Sequence, residues 1–330
     1  MRIIMAGFGT VGQGFAEVLH KKTDRLNRFN ESVKIVAAFD SKSFVADENG
    51  LDPLELVERK KSTGSVGSEK LKSGIDVLDS VDYDVLVEVS PTNIKDGGAG
   101  LKHVEHALKN GKDVVTVNKG PLALKFSELN KLAEKKNALL RFEGSVGGAM
   151  PIINLCSENL KGERVKSIRG IFNGTCNFIL SRMDKGLPFE QALKEAQQLG
   201  YAESDPSYDI DGIDTACKVV ILANSIFRRN VTFSDVSITG ITSVSAEAIA
   251  LAAEHDMVIR LIGEVSDTVL EVSPRLIPLG HPLSVSGTLN IAQIRTDLAG
   301  PITVSGKGAG RIETASAILS DLIAIMDRRR

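Results

Sequence analysis

The first twelve residues place the tightest constraint on what this chain can fold into. Arg2-Ile3-Ile4-Met5-Ala6 is a short apolar run that ends in Gly7, and Gly7-Phe8-Gly9-Thr10-Val11-Gly12 opens an amphipathic stretch marked by Phe15, Val18 and Leu19. A second apolar run, VKIVAAFD, follows at 33–40. Strand, helix, strand, with continuous rather than alternating apolar strands, is the pattern of a parallel sheet buried on both faces. In such a unit the first glycine permits a tight turn, the second lets backbone approach a pyrophosphate, and the third lets helix and strand pack closely. The helix-start amides and the positive end of the helix dipole then meet the phosphates. Residues Gly7, Phe8, Gly9, Thr10, Val11 and Gly12 are therefore expected to cradle a dinucleotide. The bland alternative is a tight turn that holds nothing.

Asp40 ends the second strand, where a carboxylate can accept hydrogen bonds from the ribose hydroxyls of NAD. Ser41, Lys42 and Ser43 follow at once and suit the 2′-phosphate of NADP instead, while an Asx-type turn would use Asp40 for neither. The choice between NAD and NADP stays open at this point.

Further apolar runs alternate with helical stretches: DVLVEVS (84–90), a helix around 99–109, DVVTVNK (113–119), a helix near 126–136 and ALLRFEGSV (138–146). That alternation predicts an α/β fold with an N-terminal doubly wound parallel sheet. The polar, glycine-dotted segment 41–75 reads as long loops with a helix near 53–60. After Pro151 the rhythm changes to α+β, with a strand at 165–173, helices near 175–184, 189–199 and 212–228, and a strand-like run at 259–279. A last helix, 311–327, carries Ile312, Ala315, Ile318, Leu319, Leu322 and Ile325 at helical spacing. The expected domains are 1–140 for the dinucleotide, with 306–330 returning to it, and 141–305 for substrate and dimerisation.

At 330 residues the chain has room for two domains. Its 40 Lys and Arg nearly balance 42 Asp and Glu, which argues against nucleic acid or an acidic membrane as partner. The terminal Arg328-Arg329-Arg330 reads as a solvated tail. No signal-like segment opens the chain and no apolar stretch reaches the roughly 20 residues of a membrane span, so the expected compartment is the cytoplasm. Cys156, Cys176 and Cys217 lack any CxxC pairing and fit buried thiols in a reducing compartment.

The densest polar signal lies at Gly200-Tyr-Ala-Glu203-Ser-Asp205-Pro-Ser-Tyr208-Asp209-Ile-Asp211-Gly-Ile-Asp214-Thr-Ala-Cys-Lys218, which runs into an otherwise apolar helix. Asp214 and Lys218 fall on one helical face, with Asp211 expected one turn earlier. A surface ion pair of little energetic weight is the plain alternative. A lysine beside a carboxylate in a partly apolar cleft is also what hydride chemistry on an alcohol requires, because a group must take the hydroxyl proton as hydride leaves and return it in reverse.

With that region in view, the chain resembles the homoserine dehydrogenase family along nearly its whole length. The resemblance rests on GFGTVGQG (7–14), VTVNKGPLA (115–123), EGSVGGAMPI (143–152), GIFNGTCNFIL (170–180), GYAESDPSYDIDGIDTACK (200–218) and GKGAGRIETA (306–315). It implies NAD(P)-dependent interconversion of L-homoserine and L-aspartate 4-semialdehyde, on the way to threonine and methionine. By the same resemblance Lys218 is the acid/base, Asp214 its orienting partner, and Lys119 lies near the nicotinamide. Glu203 and Asp209 would hold the substrate amino group, with Tyr201 and Thr175 lining the pocket. Ser90, Thr92 and Gly308 would bind the cofactor, Ser90 and Thr92 touching the nicotinamide or ribose. Glu143 with the carbonyls of Val146, Gly148 and Met150 would hold a monovalent cation such as Na⁺, as oxygen ligands suit a hard ion. The chain ends at Arg330, which implies no feedback through the C-terminal regulatory domain of longer members. A homodimer through the second domain is expected, its 165–173 and 259–279 strands pairing across a two-fold axis.

Two rival readings differ in chemistry. An aldehyde dehydrogenase working through a thiohemiacetal needs a catalytic cysteine near a histidine, and neither Cys156 nor Cys217 has such surroundings. A silent nucleotide sensor would keep the glycine turn without the acidic run and its lysine; both persist here. His103 and His106 are expected on a solvated helix face rather than at a metal, and His255 and His281 to stand alone.

Overall fold

The computed structural model describes residues 1–27 and 32–329. It divides into two compact units, Met1–Ser145 with Gly310–Arg330, and Val146–Ala309. The first unit holds seven strands: β1 (Arg2–Ala6), β2 (Lys34–Phe39), β3 (Ser43–Leu51), β4 (Glu69–Lys70), β5 (Val85–Glu88), β6 (Asp113–Thr116) and β7 (Leu140–Arg141). Their order in the sheet is β4-β3-β2-β1-β5-β6-β7. Strands β2, β1, β5, β6 and β7 run parallel, as the continuous apolar runs predict, whereas β3 and β4 add an antiparallel edge. The segment 41–75, expected as loop and helix, thus contains two strands, β3 and β4. The β3 sequence SFVADENGL turns polar at Asp47, and beyond the two residues paired with the short edge strand β4 it buries little, so no sustained apolar pattern marks it. The helix in the segment runs Pro53–Thr63, capped by Asp52.

Both faces of the parallel sheet are covered. On one, Ile3, Met5, Val85 and Val87 meet Phe15, Val18 and Leu19 of helix Thr10–Lys21 and Ala315, Ile318, Leu319, Leu322, Ile325 and Met326 of helix Arg311–Arg329. On the other, Ile4, Val36, Leu86 and Val114 meet Val104 and Leu108 of helix Gly98–Lys109. The C-terminal helix is also pinned by polar contacts. The Asp321 carboxylate accepts from the Glu143 amide at 2.8 Å, and Arg329 donates to Asp113 at 2.5 and 3.0 Å. Arg329 is therefore an anchor and not part of a solvated tail; Arg330 lies outside the described residues. The units divide at 145/146 and 309/310, a few residues beyond the expected 140/141 and 305/306. The cause is visible at each point: β7 pairs with β6, and residues 306–307 complete a strand of the second unit.

That second unit has a six-stranded sheet in the order β13-β12-β8-β10-β11-β9. Its strands are β8 (Val165–Ile171), β9 (Ser237–Ile238), β10 (Met257–Ser266), β11 (Leu270–Pro278), β12 (Leu289–Thr296) and β13 (Pro301–Lys307). The single strand-like run expected at 259–279 is a hairpin, β10 and β11, closed where the Ser266 hydroxyl accepts from the Thr268 and Val269 amides. Helix Ile213–Ser225 packs on β10 and β11, and its residues 214–224 are all buried, as an apolar helix covered on every side must be.

The C-terminal helix tests this packing. Leu322→Ala empties a fully buried site and should cost about 2–5 kcal/mol in urea unfolding. Leu298→Ala, at a residue 77% exposed, should stay within about 0.5 kcal/mol.

Candidate active site

Three short stretches of the second unit build the site. Strand β8 ends at Ile171, and Asn173 caps helix Gly174–Met183 by accepting from the Cys176 amide at 2.8 Å. A short helix, Ser207–Ile210, leads to Gly212, whose left-handed backbone (φ 83°) starts helix Ile213–Ser225. That turn needs a glycine. It leaves Asp211 exposed and brings Asp209 and Asp214 inward. Asp211 is thus not one turn earlier on the same face, because Gly212 breaks the helix that spacing alone assumes.

Lys218 and Asp214 form an ion pair at 2.7 Å, with side chains only 8% and 9% exposed, so the pair is not a surface feature. The Lys218 ammonium also donates to the Phe172 carbonyl at 2.6 Å, and that carbonyl is held by Asn290 Nδ2 at 2.9 Å. An ammonium has three donors. Two are met by acceptors among the described residues, and one is left for a ligand. Asn173 Nδ2 donates to Asp209 at 2.6 Å and to Asp214 at 3.0 Å, so one amide holds two carboxylates that would otherwise repel. Burial, then the charge of Asp214, pushes the Asp209 carboxyl above its usual range, against the pull of Asn173, Lys218 and Thr175. An arriving cation would reverse that shift.

Of the expected substrate residues, the structure gathers Asp209, Asp214, Lys218 and Thr175. Thr175 donates its hydroxyl to the Tyr201 carbonyl at 2.7 Å. The Tyr201 side chain is exposed and lies edge-on to Phe178, ring centres 5.0 Å apart, and Glu203 is exposed. Asn173 and Asn290 were missed by sequence reasoning. An asparagine directly after a strand and ahead of an apolar helix signals a cap, but not which carboxylates its amide will reach.

In the first unit the glycine turn sits at the ends of β1 and β5. A Cβ on Gly7 would lie 2.7 Å from Ser90 N, and one on Gly12 would lie 2.5 Å from Gly7 O, whereas a Cβ on Gly9 would meet nothing within 4 Å. The first and third glycines are packed against backbone; the second faces open space. The helix that follows has no side-chain cap and no acidic residue in its first turn. An open cradle of amides of this kind fits a pyrophosphate. Thr10 is exposed and Val11 half-buried beside it, while the Phe8 side chain is in the core, leaving only its backbone for a ligand. Ser90 and Thr92 are half-buried after β5, and Lys119 is the first residue of helix Lys119–Lys135, behind its cap Asn118.

Asp40 stands where a ribose-binding acid belongs, but its oxygens are taken. Oδ1 accepts from the Lys42 and Ser43 amides, both at 2.8 Å, and from the Ser43 hydroxyl at 3.2 Å. Oδ2 accepts from Lys60 Nζ at 2.7 Å and the Val66 amide at 3.0 Å. A carboxylate has about four lone-pair sites, so none remains for a ribose. Burial pushes this carboxyl upward, and the hydrogen bonds, led by Lys60, outweigh it and hold the value at about 2.

Glu143 is buried in the first unit, whereas Val146, Gly148 and Met150 begin the second. Gly308 makes room for Asn290, whose amide a Cβ there would strike. Among the described residues no cluster of three His, Cys, Asp or Glu could hold a metal. His103, expected in solvent, is buried against Glu88 at 2.8 Å, and His281 is 3.1 Å from Arg169 rather than alone. The three cysteines are buried thiols outside any disulfide, and burial raises the Cys176 thiol well above its usual range.

Comparison with known proteins gives a consistent result. The family model "homoserine dehydrogenase, NAD binding domain" matches residues 7–143, and the model "homoserine dehydrogenase" matches 151–323. A homoserine dehydrogenase of Methanocaldococcus jannaschii is 52% identical, covering 98% of each chain. An NAD(+)-dependent homoserine dehydrogenase of Pseudomonas canavaninivorans is 37% identical over 98% of this chain and 96% of its own. Among solved structures, one from a hyperthermophilic archaeon, a homoserine dehydrogenase in complex with NADPH, superposes with a TM-score of 0.87 at 32% identity, covering 99% of this chain and 98% of that one.

Asp40 allows a direct test of its internal role. Its folded value, about 2, lies below the ordinary 3.8, so the carboxylate stabilises the fold above pH of about 4 and ceases to do so as pH falls toward 2. Asp40→Asn should therefore lose about 2 kcal/mol near neutral pH. The gap to wild type in urea unfolding should close between pH 4 and 2.

Proposed function

The chain belongs to the homoserine dehydrogenase family, NAD(P)-dependent oxidoreductases acting on a CH–OH group, and on that premise we propose how its own residues perform the interconversion of L-homoserine and L-aspartate 4-semialdehyde. The observation that carries the proposal is the buried Lys218 ammonium with two donors fixed and one unspent. The glycine turn around Gly9 in the first unit would hold the nicotinamide nucleotide, which when bound would supply or take up hydride. In the direction of reduction, Lys218 gives its third proton to the carbonyl oxygen as that oxygen becomes a hydroxyl. In oxidation the same nitrogen, entering as the amine, receives the hydroxyl proton. Asp214 and the Phe172 carbonyl fix Nζ throughout, which keeps the proton on the path rather than loose on a flexible stem.

Asp209 holds the substrate ammonium. Its half-buried carboxyl, raised in the free protein, gains a compensating cation when the amino acid binds. Glu203 and Tyr201, exposed beside it, complete the rim, with Thr175 fixing the Tyr201 backbone. Lys119 and Thr92 serve the nicotinamide half of the cofactor. Asp40, saturated and paired with Lys60, neither grips an adenosine ribose nor strongly repels a 2′-phosphate, which leaves both NAD and NADP admissible. The reaction is a step toward threonine and methionine. The three buried thiols, none in a disulfide, suit a reducing compartment, and we place the enzyme in the cytoplasm; among the described residues no helix is long and apolar enough to cross a membrane. A homodimer through the second unit's sheet would cover Leu276 and Leu279, both exposed on or beside β11.

Lys218→Ala is the decisive variant. Losing an acid–base group should lower kcat by about 10²–10⁴-fold, with the dissociation constant for the nucleotide nearly unchanged in calorimetry. A rate equal to wild type, in a variant that melts normally, would remove Lys218 from the chemistry.

A further inference from the structure

Glu88 is the last residue of β5 and is 0% exposed. No substrate or cofactor role assigned above uses it. Its Oε2 meets His103 Nδ1 at 2.8 Å, with the His103 ring buried against the edge of Phe39. Its Oε1 accepts from the Ser90 amide at 2.9 Å and from the Ser90 hydroxyl through a short contact. Asn118 Nδ2 donates to the same Ser90 oxygen at 3.3 Å and to the Pro91 carbonyl at 3.4 Å. Asn118 Oδ1 accepts from the Gly120 amide at 3.1 Å and so caps the helix that begins at Lys119. One continuous polar chain thus runs from His103 through Glu88, Ser90 and Asn118 to the start of that helix.

The location gives the chain a meaning. In the sheet order β2-β1-β5-β6 the winding reverses between β1 and β5, and ligands of such sheets gather outside the carboxyl ends at that reversal. Ser90 stands there, its backbone packed against Gly7 of the glycine turn. A serine hydroxyl has one donor and two acceptor positions. Here the donor is spent on Glu88 and one acceptor position faces Asn118. What remains is a single lone pair.

We infer that Glu88, steadied by His103, is a positioning residue that locks the Ser90 hydroxyl as a hydrogen-bond acceptor, so that the nicotinamide half of the cofactor is recognised by the N–H of its carboxamide. This rests on the reading that the first unit binds a nicotinamide nucleotide with Ser90 beside it. An acceptor is needed at position 88 because a donor there would turn the hydroxyl round and present the carboxamide with a proton. The substitution Glu88→Gln could still serve, since a glutamine's amide oxygen can accept from Ser90 while its amide nitrogen donates to His103.

Calorimetric dissociation constants for three nucleotides test the inference: NAD, thionicotinamide adenine dinucleotide, which keeps the N–H donors, and acetylpyridine adenine dinucleotide, which replaces them with a methyl group. Wild type should bind the acetylpyridine form about three- to tenfold more weakly than NAD, as one neutral hydrogen bond warrants, and the thionicotinamide form about as well as NAD. Ser90→Ala should erase that preference, Glu88→Gln should keep it, and Glu88→Leu combined with His103→Phe, which removes both buried partners together, should erase it. A folded double variant that keeps the wild-type preference while Ser90→Ala loses it would overturn the role of Glu88 and leave the contact to Ser90 standing. Wild type without the preference, or a preference that survives in Ser90→Ala or vanishes in Glu88→Gln, would overturn the inference even if the double variant does not fold. Failure of wild type to bind NAD or NADP at all would instead refute the cofactor reading.

Discussion

A lysine ammonium taken out of water is stable only where acceptors replace its hydration, and the second unit is arranged around meeting that demand for Lys218. Asp214 comes from the same helix one turn earlier, and the Phe172 carbonyl comes from the residue that follows β8. Asn290 of β12 secures that carbonyl, and Asn173 secures Asp214. The fold thereby delivers two-thirds of a coordination shell to one nitrogen. In the proposed mechanism a substrate oxygen supplies the rest, so that binding and proton transfer would meet at one atom.

The first unit uses carboxylates in a different way. Asp40 and Glu88 both stand at strand ends where a nucleotide belongs, yet both turn their oxygens inward. Asp40 ties β2 to the following turn and to Lys60, and Glu88 ties β5 to Ser90 and His103. What is left open above the turn is backbone at Gly9, and on our inference the Ser90 hydroxyl is set from behind to meet the ligand. Rigid placement from a buried shell is what keeps such contacts within productive geometry.

Much of this was legible in the sequence. The glycine turn, the apolar strands β1, β2, β5 and β6, and the i,i+4 pairing of Asp214 with Lys218 all follow from periods and spacings that local physics imposes. The strand β3 was not legible, because its polar, little-buried second half breaks the apolar pattern by which strands are recognised. Asp211 was misplaced since spacing assumes an unbroken helix and Gly212 breaks it. An Asx-type turn was among the readings the sequence allowed for Asp40. The filling of its second oxygen, however, depends on Lys60 and Val66, 20 and 26 residues away, and the burial of His103 on Glu88, 15 residues away, which no local window contains. Asn173 escaped for the same reason: its two carboxylates lie 36 and 41 residues further on.

In the proposed mechanism the unspent donor of Lys218 addresses the reacting oxygen. A crystal structure of the chain with L-homoserine measures this directly. The substrate hydroxyl should lie within about 2.6–3.2 Å of Lys218 Nζ, with the Phe172 carbonyl and Asp214 contacts retained and the substrate amino group at Asp209. A hydroxyl bound elsewhere, with Lys218 still closed on its two internal partners, would contradict it.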